Sequence, residues 1–366
     1  MREEREIAVF AFPFATGIIV AVIIGTSLSI ISPTYHITAQ AAALLPAILL
    51  LHPNRFKWNE EIQWGIIGTC ALFCGIFIGL SGIELQISHT DSEGLLRQFA
   101  RYAGDRIKVI IDEITFEQES TNGIIKALLT GDRSGITQQT AQVFRDSGAS
   151  HILALSGLHL GIIYGVLSKI FSIGGNSRFK RRIKSAIIII ACIMYTLATG
   201  AGASITRACM FIVLKETAEL TGRNISLKGI LATSLALHLA FDPMSATDVG
   251  FQLSYAAMMG IAFLFPVMKR LWKNEWPGLK WMWESLSVSI SCQITTGPLA
   301  YYYFGTFPQY FLLTNLLAIP LAAIMIPSAI LTIIMCGIGY CPEWMINITE
   351  WLTQTMIDSL TIIASM

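Results

Sequence analysis

The chain has 366 residues, of which 54% are hydrophobic and 13% charged, with a formal net charge of +1. A soluble domain carries about 25% charged residues, so this composition excludes an ordinary soluble domain and points to a polytopic membrane protein. The near-neutral balance of charge singles out no partner.

In chain order, "MREEREIAVF" leads into an apolar run with no small-residue cleavage site, which reads as a first span and not as a removed signal peptide. A spanning helix needs about 20 mostly apolar residues. Candidates fall at 8–31, 36–51, 62–83, 150–173, 185–202, 204–221, 227–241, 248–268, 281–303, 310–335 and 344–364. The expected fold is therefore all-α, with about 11 transmembrane helices. The second and seventh candidates are short, and the tenth is broken by Pro320 and Pro327. The chain divides into an N-terminal membrane segment (1–83), an extracytoplasmic segment (84–149) and a larger membrane domain (150–366).

Lys and Arg in short loops orient the spans. "RFKRRIK" (178–184) is expected in the cytoplasm, with Lys269, Arg270, Lys273 and Lys280, with Arg55 and Lys57, and with Arg223 and Lys228. Counting spans between these loops gives a cytoplasmic N-terminus, an outer 84–149 segment and an extracytoplasmic C-terminus. Within the outer segment, "IKVIIDEITFE" (107–117) suits a strand. "NGIIKALLTGD" (122–132) reads as a short amphipathic helix with Gly131 as its C-cap. Thr137 is placed to cap a second helix carrying Val143 and Phe144. These helices are expected at the membrane surface or on a channel mouth.

The stretch "SHILALSGLHLGI" (150–162) carries His151, Ser156 and His159 in an apolar run. Read as one helix, it puts Gly157, Gly161 and Gly165 on a face suited to close helix packing, with Ser156 and His159 opposite. Three chemical readings compete. "ALSGL" lacks the first glycine of a nucleophile elbow, and no acid lies nearby in sequence to orient the imidazole, which weighs against a hydrolase. His151 and His159 stand about 12 Å apart along a helix, too far to share one ion unless the helix breaks. A polar patch facing a water-filled path is the remaining reading, and hydrogen bonding for packing alone stands beside it.

Other candidate spans carry further polar residues. Asp248, Gln252 and Tyr255 fall within a narrow arc, and Ser204, Arg207, Lys215 and Glu219 share a side with Phe211 between them. An unpaired Arg at the bilayer centre costs at least about 2.5–3.5 kcal/mol, so Arg207 is expected to face a partner or water. Snorkelling of Arg207, or an ion pair with Asp248, would also satisfy it. From 281 to 298 serine, glutamine and threonine alternate with apolar residues, and Asn315 adds a buried amide. A period of two suggests a strand, but a lone strand cannot span lipid, so a helix wedged in a bundle is expected. Polar stripes and a buried Arg suggest a conduit. Arg207, Lys215 and Tyr255 would suit a polyanion, a small anion or a lipid headgroup alike.

Cys70, Cys74, Cys192, Cys209 and Cys292 lie in apolar runs and behave as small hydrophobes. No Cys–His cluster has zinc-ligand spacing and no phosphate-binding G-x-x-x-x-G-K-[ST] loop is present, so neither metal nor cofactor is expected.

"ALLTGDRSGITQQTAQVFRDSGASHILALSGLHLGI" resembles the signature of the ComEC competence proteins, bacterial inner-membrane channels for transforming DNA. "GAGASITRACMFI" (200–212), "FDPMSATDVGFQLSYAAMMGI" (241–261) and "GPLAYYYFGTFPQYFLLTNLLAIPLAAIMIP" (297–327) agree in the family's order. The resemblance covers about 121–335, most of the chain. It implies passage of single-stranded DNA across the inner membrane into the cytoplasm, with no enzymatic activity in this chain. Carried onto this sequence, the motif positions are His151, Ser156, Gly157, His159, Arg207, Asp248, Gln252 and Asn315, as channel residues and not catalytic ones. The lipid bilayer, a separate nuclease, an extracytoplasmic DNA-binding protein and a cytoplasmic motor are the implied partners. About 37 residues separate the third span from the motif at 121, too few for the oligonucleotide-binding barrel usual in the family. No H-x-H-x-D-H nuclease motif occurs. Two alternatives remain: a transporter of a small anion or lipid on the same scaffold, and an intramembrane hydrolase using Ser156 and His159.

Overall fold

A computed structural model describes residues 2–28, 65, 67–79, 95–172, 178–222, 225–272, 276–305 and 309–366. The expected second span, 36–51, and the loop with Arg55 and Lys57 lie outside them. Among the described residues all regular structure is helical. The helices are α1 (Arg2–Leu28), α2 (Ile67–Gly79), α3 (Leu95–Glu113), α4 (Glu119–Thr130), α5 (Gln138–Asp146), α6 (Ser150–Leu153), α7 (Gly157–Ser172) and α8 (Arg178–Ala198). They continue with α9 (Ala203–Thr221), α10 (Leu227–Phe241), α11 (Val249–Met259), α12 (Phe265–Leu271), α13 (Pro277–Phe304), α14 (Phe311–Gly337) and α15 (Glu343–Ala364). A π turn, Gly260–Leu264, joins α11 to α12. Among the described residues two helices, Val249–Leu271 and Phe311–Gly337, are long and apolar enough to cross a bilayer. Shorter apolar helices occur at Val9–Ile23, Ile67–Gly79, Gly157–Ser172 and Leu227–Phe241.

The described chain forms two units, one from 1–92 and 223–263, the other from 93–222 and 264–366. In the first, α1 packs on α2 and α10. Glycines set how closely α1 and α2 approach. A Cβ at Gly17 would collide with the carbonyl oxygen of Leu72, and one at Gly75 with that of Phe14. One turn further along, a Cβ at Gly79 would stand 2.7 Å from the Ala21 Cβ. Gly17/Ala21 and Gly75/Gly79 are thus facing pairs of small residues four apart, the spacing that lets helix backbones touch.

The second unit corrects several expectations. The 107–117 stretch is not a strand: residues 107–113 complete the helix α3. Ile and Val favour strands only where a sheet receives them. Here Ile107, Ile110 and Ile111 pack into a helical core instead. The helices after α3 do not simply lie on a surface. Ile124, Leu128, Phe144 and Ile152 are buried together with Ala318, Ala322, Met325, Met356 and Leu360 of α14 and α15. Segment 95–149 therefore accompanies α14 along its length. Thr314, near its start, donates its hydroxyl to the Ser147 carbonyl, and Gly337, at its end, lies against Ile110. α14 also runs through Pro320 and Pro327 as one helix and is not broken there. Neighbouring helices can stabilise a helix across the backbone groups that proline frees. Ser328, Thr332 and Thr349 link α14 to α15 by hydroxyl contacts of 2.8 and 3.0 Å. α13 is a continuous helix with Ser287, Ser289 and Ser291 buried.

The two short helices expected around Gly131 and Thr137 are present. Gly131 ends α4 at φ 79°, and its N–H donates to Ala127 O. Thr137 Oγ1 accepts from Thr140 N at 3.1 Å to start α5. The start of α4 has no side-chain cap from its own Gln118. It is satisfied from afar: the Glu350 carboxylate of α15 accepts from Glu117 N at 3.2 Å and Gln118 N at 2.7 Å. Charge-assisted bonds at a helix N-terminus are worth about 1.5–3 kcal/mol. Glu350→Ala is therefore expected to lower the unfolding midpoint of the purified protein by a comparable free energy. Glu350→Gln should recover part of it, and a melt indistinguishable from wild type for both would contradict the assignment.

The loop after α4 is tied electrostatically. Ser134 N–H donates to Asp132 Oδ1 at 3.0 Å, and Lys108 Nζ stands 3.5 Å from Oδ2. The Ser134 amide and then its hydroxyl hold the Asp132 carboxyl below the usual range, against the opposing effect of burial and with a smaller lowering from Lys108. A carboxyl with a lowered folded-state pKa stabilises above the ordinary value of about 3.9, and that stability is lost as pH falls through the folded value. Between neutral pH and acid, Asp132→Asn should show a weaker loss of melting temperature than wild type. An identical acid dependence would contradict this.

Candidate functional site

The run at 150–162 is not one helix. It breaks after α6, and the residues at 154–156 lead into α7. Across this break Ser156 and His159 form a local device. His159 Nδ1 lies 3.1 Å from Ser156 N and 2.9 Å from Ser156 Oγ. His159 N donates to Ser156 O at 3.1 Å. Ser156 stands at the N-cap of α7 and His159 at N3. This is one half of a capping box, with imidazole where glutamate or glutamine usually accepts the N-cap amide, while the Ser156 hydroxyl bonds the ring and not the His159 amide. Because Ser156 N–H can only donate, Nδ1 is the acceptor, and the neutral ring carries its proton on Nε2. His159 is 0% exposed, and its contacts tie the two sides of the break together. Ser156 is half-buried. His151 is exposed, and its ring nitrogen lies 3.2 Å from the Gly148 carbonyl, which can only accept.

Of the three glycines, only Gly157 meets a neighbour, where a Cβ would stand 3.1 Å from Ala208 Cβ of α9. A Cβ at Gly161 or Gly165 meets nothing within 4 Å among the described residues, so the packing face is confined to the first.

α7, α8 and α9 enclose a second polar group within an apolar cluster that includes Leu160, Ile188, Cys192, Ile205 and Cys209. Arg207 is 2% exposed on α9. Two turns on, Tyr164 OH donates to Glu216 Oε1 at 2.8 Å, and Lys215 Nζ sits 4.9 Å above the Tyr164 ring. Glu216 is 0% exposed, whereas Lys215 keeps its ammonium at the exposed edge. Sequence reading placed Lys215 and Glu219 but missed Tyr164 and Glu216. The available signal was an acid next to a lysine in an apolar helix.

Asn315 Nδ2 reaches Ser289 Oγ at 3.4 Å, tying α14 to α13. Its Oδ1 is buried without a partner among the described residues. In the other unit Asp248 is the N-cap of α11, accepting from Phe251 N at 2.8 Å, and Gln252 Nε2 donates to Ala246 O at 2.9 Å. Tyr255 is buried, its ring 4.6 Å from Phe251 and 6.2 Å from His238. Asp248 and Gln252 thus hold the start of α11, while Tyr255 packs on aromatic rings. No group of three metal-ligating side chains occurs among the described residues.

The family model described as "Competence protein" matches residues 128–366. The chain belongs to the competence protein family. Among competence relatives, ComE operon protein 3 of Bacillus subtilis is 25% identical over 60% of this chain and 27% of its own length. Competence protein ComA of Neisseria gonorrhoeae is 24% identical over 81% of this chain and 41% of its own. Recombination protein 2 of Haemophilus influenzae is 22% identical over 58% of this chain and 28% of its own. The chain thus spans well under half the length of these relatives. No solved structure gives a significant match. The matched region holds the Ser156–His159 brace, Arg207 and the Tyr164–Glu216 pair, and it also holds Asp248 and Asn315.

The contact between Ser156 Oγ and His159 Nδ1 invites a catalytic reading. The imidazole lone pair that would take the serine proton already accepts the Ser156 amide. Ser156→Ala keeps that amide contact and is expected to cost under about 1.5 kcal/mol of stability, whereas His159→Ala removes a fully buried ring together with the acceptor of the half-buried Ser156 amide and costs about 2–5 kcal/mol. Equal effects of the two substitutions on the unfolding midpoint would contradict the capping assignment.

Proposed function

We propose that the chain is the membrane core of a DNA-uptake conduit, passing single-stranded DNA across the inner membrane into the cytoplasm. Membership of the competence family over 128–366 carries the reading. The apolar helices and the Arg207 buried among them support it. The proposed topology has about 11 spans, a cytoplasmic N-terminus and an extracytoplasmic C-terminus. Its role is transport without enzymatic activity. A separate nuclease, an extracytoplasmic DNA-binding protein and a cytoplasmic motor supply the remaining steps.

The test is deletion of the gene in a transformable strain. Transformation by added DNA should be lost while binding of DNA at the cell surface persists. Unchanged transformation would overturn the reading and favour transport of a small anion or lipid. The Ser156–His159 contact is the one observation favouring a hydrolase. A hydrolysis measured with the purified protein and abolished by Ser156→Ala would establish that alternative.

A further inference from the structure

The helical corner after Val249–Leu271 carries an open aromatic and basic surface. Val249–Leu271 is long and apolar enough to cross a bilayer, and its last turn holds Lys269 and Arg270. The chain then enters α13, with Pro277 at the helix start. Trp272, Trp276 and Trp281 around this corner are 45%, 74% and 49% exposed. Val267, Leu271, Leu279 and Met282 are exposed among them. Lys269, Arg270 and Lys280 are exposed beside the indoles. The corner is nevertheless braced. Trp283 Nε1 donates to the Met268 carbonyl at 3.2 Å, and its ring meets Trp272 edge-on with centroids 5.3 Å apart. Lys269 Nζ lies 2.9 Å from Glu284 Oε1.

Three open indoles beside two helices braced on each other are poorly placed in water. At a bilayer interface the ring body is buried and the N–H reaches the headgroups. Exposed cations at the same level suit an anionic leaflet. We propose that the α12–α13 corner is a lipid-binding anchor, with its indoles in the cytoplasmic interface and Arg270 and Lys280 on anionic phospholipid headgroups. Single-stranded nucleic acid also combines aromatic stacking with cations. Two observations favour lipid. Lys269 is already held by Glu284, which reduces the charge offered to a polyanion. The exposed aliphatic side chains interleaved with the indoles give acyl chains a surface and give phosphates none. The inference rests on Val249–Leu271 as a span and not on DNA passage, so its test and the transformation test fail separately.

The full chain is placed in nanodiscs of phosphatidylcholine, or of phosphatidylcholine with phosphatidylglycerol, with the lipids brominated near the headgroup end of the acyl chain. The bromines should quench the indole fluorescence. The combined Trp272→Phe, Trp276→Phe and Trp281→Phe variant should lose the share of that quenching due to these three of the eight tryptophans. Arg270→Gln and Lys280→Gln should each weaken the preference for phosphatidylglycerol about five-fold. If the combined variant fails to fold, Trp281→Phe alone should lower the quenching by that residue's share. Unaltered quenching in the variants would overturn the anchor. So would quenching of these indoles by an added single-stranded oligonucleotide with no preference for anionic lipid, which would make the corner a nucleic-acid surface.

Discussion

Arg207→Glu is expected to abolish DNA internalisation and to destabilise the protein by about 3–5 kcal/mol, the usual cost of leaving a buried charge uncompensated. Arg207 is 2% exposed within a helix whose neighbours are mostly apolar. Its flat guanidinium offers five donors in a fixed fork, which a lysine ammonium cannot reproduce, so Arg207→Lys should be impaired but not inactive. Two measurements on each variant separate bracing from passage: the amount of protein in the membrane fraction and the uptake per molecule. If Arg207 acts on the polyanion, Arg207→Glu should lose far more uptake per molecule than Arg207→Lys. Equal losses per molecule would make Arg207 structural.

Gly75→Ala, or its counterpart Gly17→Ala, should strip the protein from the membrane or lower its unfolding midpoint strongly. The added methyl group has no side-chain tip to push aside, because it collides with the main-chain oxygen of Phe14 or Leu72. Overpacking of this kind costs about 1–3 kcal/mol, and more where backbone must move. Gly161→Ala is the control, since its Cβ meets nothing within 4 Å among the described residues. A Gly75→Ala protein as abundant and as stable as Gly161→Ala would contradict the close approach of α1 and α2.

These two sites show what the sequence makes legible. Small residues four apart were recognisable as packing devices, but among the described residues the stripe that stood out, at Gly157, Gly161 and Gly165, meets a neighbour only at its first residue, whereas Gly17 and Gly75 pack closely. Spacing reveals a possible face, and only the partner helix decides whether it is occupied. Local chemistry was more readable: Gly131 and Thr137 end and start helices through contacts within a few residues. The break at 154–156 was hidden because its residues are as apolar as the helices around it. Its only trace was Ser156 three residues before His159, a capping-box spacing with an unusual acceptor. Long-range burial left no such trace. The packing of Ile124 and Phe144 against α14 and the capping of α4 by Glu350 join residues more than 170 apart in sequence. An amphipathic helix shows an apolar face but does not say whether lipid or protein will cover it.

The central claim is that this chain carries DNA across the membrane, and labelled DNA tests it most directly. Cells lacking the gene, the same cells restored with the wild-type gene, and cells restored with Arg207→Glu are each given end-labelled DNA and then treated with an external nuclease. The account predicts that label protected from the nuclease appears only with the wild-type gene, although all three strains bind DNA at the surface. Protected label in cells lacking the gene, at the wild-type level, would contradict it.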